Sequence, residues 1–84
     1  MSANIYCRPI STARRDIPIG TPSLFITVIE ETFGTFPITI GTTSDRLILR
    51  GMIAGATDRD WKKCFEILYQ EIEKHGEIEI FAEY

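Results

Sequence analysis

Apolar and polar side chains alternate through residues 4–10, Asn-Ile-Tyr-Cys-Arg-Pro-Ile. A period of two sends Ile5 and Cys7 to one side and Tyr6 and Arg8 to the other, which predicts a strand. Pro9 ends its hydrogen-bonding run, because proline has no N–H to donate. Residues 77–84 alternate strictly, with Ile78, Ile80, Ala82 and Tyr84 facing one way and Glu77, Glu79, Phe81 and Glu83 the other. Residues 35–41 put Phe36, Ile38 and Ile40 inward, and Pro37 assigns that strand to a sheet edge. Residues 46–54 read as a further strand, with Leu47, Leu49 and Ile53 inward and Arg46, Ile48, Arg50 and Met52 outward. A turn at Thr42–Asp45 precedes it, and Gly51 and Gly55 fit a bulge.

Two segments follow the helical period instead. Over 22–33, the residues Leu24, Phe25, Ile26, Val28, Ile29 and Phe33 fill one broad side, while Ser23, Thr27, Glu30 and Glu31 fill the other. The punctuation agrees: Thr21 can cap, Pro22 sits at the first helical position and Gly34 follows the last turn. Over 58–75, Trp61, Cys64, Phe65, Leu68, Tyr69 and Ile72 form one stripe opposite Lys62, Lys63, Glu66, Gln70, Glu73 and Lys74. Thr57 can cap this helix with Asp60 three residues on, Lys74 and His75 suit its C-terminal dipole, and Gly76 stops it.

The order is therefore strand, helix, strand, strand, helix, strand. Two right-handed crossovers of this kind interleave into a four-stranded antiparallel sheet with both helices on one face. The expectation is a ferredoxin-like βαββαβ two-layer sandwich, α+β in class, formed by 1–84 as a single domain. The first and third strands would be central. Pro37 would lie on one edge and the Glu-rich last strand on the other, where like charges discourage strand addition. Residues 11–21 are left as a long polar loop.

Composition narrows the class. The chain has 84 residues, 44% of them hydrophobic and 25% charged, which is the balance of one folded domain. Its longest apolar runs, such as Leu47-Ile48-Leu49, fall far short of the roughly 20 residues a membrane span needs. The start, Met-Ser-Ala-Asn, shows no basic stretch leading into an apolar one, so no secretory leader is expected. Cys7 and Cys64 are the only cysteines and form no CxxC, which fits two buried thiols in a reducing cytoplasm. With one histidine besides, the chain offers no zinc site, and no metal or other cofactor is expected. A domain this small buries a modest share of its unfolded surface, so a protein partner is the remaining source of extra burial.

Candidate chemistry follows from parity on the sheet. The face away from the helices would carry Tyr6, Arg8, Ile48, Arg50, Met52 and Phe81, together with Glu79 and Glu83. Arg8, on the first strand, can pair with Glu79 or Glu83 on the last. Four large apolar groups pointing outward exceed the scattered norm and favour a protein-binding surface over a merely solvated one. Base stacking in the manner of RRM domains is opposed by the lack of an aromatic on 46–54 and by the glutamates of the last strand.

A second candidate is the loop holding Arg14 and Arg15. It leads to Thr21 and Ser23 at a helix start, where unpaired amides favour phosphate or carboxylate. His75 has no nucleophile or paired carboxylate assigned to it, and no catalytic constellation is visible. The leading expectation is a small non-enzymatic binding module acting through the open sheet face, either as a homodimer or by docking on a larger protein as an accessory, regulatory or inhibitory subunit. The alternative is a small-ligand or anion-binding domain, or an enzyme, using Arg14, Arg15, Thr21 and Ser23.

Overall fold

A computed structural model describes residues 4–11, 16–20 and 24–83. The alternation at the chain start forms β1 (Asn4–Pro9), in which Ile5, Cys7 and Pro9 are buried while Tyr6 and Arg8 are half-buried. β2 (Ile17–Pro18) follows, then α1 (Phe25–Phe33), β3 (Ile38–Ile40), α2 (Thr43–Gly55), α3 (Arg59–His75) and β4 (Ile78–Glu83). The strands lie in the order β2-β1-β4-β3, each pair antiparallel. The protein is thus α+β, with an open four-stranded antiparallel sheet and three helices among the described residues.

The predicted strand over 46–54 is instead α2, and its start explains why. Thr42 Oγ1 accepts the N–H of Asp45, and Asp45 Oδ2 accepts the N–H of Thr42, a capping box that satisfies amides the first turn leaves open. From there the helical period places Leu49, Met52, Ile53 and Ala56 on one side. Leu49 is fully buried, with Met52 and Ile53 half-buried. Leu47, which the strand reading turned inward, is 62% exposed. Gly51 and Gly55 sit within the helix, with no bulge.

This change reorders the sheet. Ile17–Pro18, inside the segment expected to be loop, takes the edge beside β1, and the Ile19 N–H extends the pairing to the Ile5 carbonyl at 2.9 Å. β4 is central, between β1 and β3, where an edge was expected. Its glutamates tolerate that position because Glu79 and Glu83 point to the sheet face that stays wet. β3 does lie at an edge, next to Pro37. The ferredoxin-like βαββαβ order with two helices is therefore not matched.

The core lies between the sheet and α3. Ile5, Cys7, Ile78 and Ile80 meet Leu68 and Ile72, all six at most 0% exposed, and Phe25, Ile29 and Leu49 bring in the other two helices. Phe25 docks α1 through its ring, 5.1 Å from that of Phe65 and 5.7 Å from that of Trp61. α3 matches the sequence reading except at its cap. Asp58, not Thr57, accepts the N–H groups of Asp60 and Trp61 at 2.8 and 3.1 Å. Gly76, at φ 79°, ends the helix by donating to the Ile72 carbonyl. The caps expected for α1, Thr21 and Pro22, lie outside the described residues.

Candidate functional site

The outer face of the sheet is built from the polar half of the β1 and β4 alternation. Tyr6 stands directly opposite Phe81, and Arg8 opposite Glu79. The Tyr6 and Phe81 rings stack with centroids 5.7 Å apart and 20° between planes. The Arg8 guanidinium sits over the Phe81 ring, 4.4 Å from its centroid. Arg8 Nε is 3.1 Å from Asp16 Oδ1 and 3.9 Å from Glu79 Oε1. That nitrogen is shielded from solvent, yet neither carboxylate aligns with it as a hydrogen-bond acceptor. Arg8 is therefore held by charge and ring contact more than by directed bonds. No described helix packs on this face.

Tyr6, Arg8 and Phe81 thus share one surface, as parity predicts. Ile48, Arg50 and Met52 do not belong to it. The error has one cause, because a segment turned from strand to helix redirects every side chain it carries. On α2, Ile48 is exposed, Met52 half-buried and Arg50 exposed. At about 100° per residue, Ile48, Met52 and Gly55 share one flank of the helix and Arg50 takes the other.

That flank of α2 faces a cavity which sequence reasoning missed. Val28 of α1, Met52 and Gly55 of α2, and Trp61 and Phe65 of α3 line an open groove of about 500 Å³, with Asp58 also in its lining. Trp61 and Phe65 were assigned to the core stripe of α3, and no groove was visible while 46–54 was read as a strand. The signal that could have found it is Thr42-x-x-Asp45, a capping box ahead of an apolar run.

The alternative site falls elsewhere. Arg14, Arg15, Thr21 and Ser23 all lie outside the described residues. His75 Nε2 is 3.7 Å from Glu71 Oε1, one turn apart on α3. Glu71 is buried, and this oxygen has no hydrogen-bond partner among the described residues. Cys7 lies in the same core, its thiol pushed up to about 12 by burial first and by the charge of Glu71 second. Cys64 is buried as well, donates to the Ile19 carbonyl at 3.2 Å, and is raised by burial and then by Asp60. Neither thiol is poised as a nucleophile, which needs a depressed pKa. Among the described residues, no helix is long and apolar enough to cross a membrane.

Comparison with known proteins adds no assignment: no family model, no curated protein and no solved structure matches the chain.

Proposed function

We propose that the protein is a small non-enzymatic binding module that docks a partner protein on the bare face of its sheet. The observation that carries this reading is the Tyr6–Phe81 stack with Arg8 laid over it, at the centre of a face no described helix covers. Two adjacent aromatics with a guanidinium are the residue types that dominate binding energy at protein interfaces. The ring contact also holds Arg8 in place before a partner arrives, which lowers the ordering cost of association.

Charge indicates what kind of partner. Among the described residues, Asp16, Glu79 and Glu83 stand on this face against one guanidinium, Arg8, so its described part is net negative. A second copy would bring like charges together, and a phosphate backbone would be repelled. A protein surface with basic residues around an apolar contact complements it. Two free buried thiols support a reducing, cytoplasmic setting.

The test is comparative capture with wild type, Phe81→Asp and Arg50→Glu, each first shown to be folded by its melting curve. Wild type and Arg50→Glu are expected to retain the same partner and Phe81→Asp to lose it. Raising salt from about 0.1 M to about 1 M should release it, since that shortens electrostatic range about threefold. Identical proteins on all three baits, or sedimentation showing only a dimer that Phe81→Asp dissociates, contradicts the reading.

A further inference from the structure

On the helical side of the molecule, α1 and α2 form the walls of a groove whose floor is α3. The apolar surface extends beyond the cavity itself. Ile48, exposed by 41%, lies one helical turn from the lining residue Met52 on α2. A volume of about 500 Å³ falls in the range of small-molecule sites.

The lining is mostly apolar, with Thr57 and Asp58 its polar side chains. Among the described residues, Asp58 is the only charged one in that lining. Asp58 Oδ1 is occupied by the amides of Asp60 and Trp61. Its second oxygen carries no hydrogen bond among the described residues. Trp61, whose ring face attracts cations better than other aromatics, stands three residues from that carboxylate.

We infer that this groove binds a small organic amine, a compact apolar body carrying one ammonium. The body fills the space between Val28, Met52 and Phe65. The ammonium meets the free oxygen of Asp58 and the Trp61 ring. Carboxylates of the same shape bind several-fold less well, because they would place like charge beside Asp58. This site is separate from the sheet face, and its test can fail without touching that reading.

Trp61 is the only tryptophan in the chain, so its fluorescence reports occupancy directly. The probes are cyclohexylmethylamine and cyclohexanecarboxylate, matched in shape and opposite in charge. Gly55→Leu fills the groove from a position where an added Cβ meets nothing within 4 Å. Asp58→Asn removes the charge but keeps a competent helix cap. The expected result is a saturable Trp61 response to the amine and a several-fold weaker one to the carboxylate. Gly55→Leu abolishes both responses, and Asp58→Asn retains a response with the preference lost. A wild-type chain that does not respond to the amine, or that responds equally to both probes, overturns the proposal. So does a response unchanged in folded Gly55→Leu, or a preference unchanged in Asp58→Asn.

Discussion

Thr42 and Asp45 cap one helix end reciprocally: Thr42 Oγ1 accepts the Asp45 N–H at 3.1 Å, and Asp45 Oδ2 accepts the Thr42 N–H at 3.0 Å. The same carboxylate oxygen also takes the Gly41 N–H at 2.9 Å. These bonds fix where α2 begins, and so turn residues that alternate like a strand into a helix. Thr42→Ala is expected to cost about 1 kcal/mol in denaturant unfolding, the usual value of an N-cap. An unchanged midpoint would show that the cap contributes nothing.

Asp45 also gives the fold an acid dependence. Partial burial acts to raise its pKa, but the bonds from the Gly41 and Thr42 amides and the Thr42 side chain outweigh it, leaving the value below 3.8. A folded pKa below the unfolded one means the contribution is complete above the unfolded value and disappears as pH falls through the folded one. Between about pH 6 and about pH 2, wild type should therefore lose more stability than Asp45→Asn, which keeps an acceptor but cannot ionise. Parallel urea-midpoint curves would contradict this assignment.

Most elements were legible because their period was uninterrupted. The stripe and end residues of α3, the strict alternation of β4 and the broad apolar side of α1 each point one way. In α2, Leu47 and Leu49 imitate alternation, and Gly51 and Gly55 lower the helical signal, so only the capping box speaks for a helix. β2 is two residues long and has no period to read. The position of β4 depends on which strands pair at long range, which a local pattern does not carry. Half of the candidate site followed directly. Tyr6, Arg8 and Phe81 lie on strands whose parity held, whereas Ile48, Arg50 and Met52 moved with α2.

Two glycines should respond to alanine with opposite signs. At Gly51, inside α2, a Cβ meets nothing within 4 Å. Gly51→Ala should therefore stabilise by about 0.4–1 kcal/mol through the unfolded state. At Gly41 a Cβ would stand 2.7 Å from the Glu77 Cα and 3.2 Å from its nitrogen, with φ at 152°. Backbone cannot move aside cheaply, so Gly41→Ala should destabilise by about 1–3 kcal/mol. Thermal melts of the two variants check both signs at once.

Cys7 makes the fold sensitive to alkali. Its thiol is fully buried and raised from 9.0 to about 12. A folded pKa above the unfolded one favours the native state fully below about pH 9, and that advantage is lost as pH rises toward about 12. Cys7→Ala should flatten the alkaline fall in the unfolding midpoint while lowering stability at neutral pH. In the native protein a thiol reagent should label neither Cys7 nor Cys64 until denaturant is added. Rapid labelling of Cys7 would refute the burial.

The bare sheet face as docking surface is the central claim, and site-directed photocrosslinking tests it most directly. A photoreactive side chain at Thr39, which is exposed and stands opposite Glu79 on that face, is compared with one at Arg50 on α2. The account predicts crosslinks from Thr39 to a basic partner protein and none from Arg50. Crosslinks from Arg50 alone, or from Thr39 only to a second copy of this chain, would contradict it.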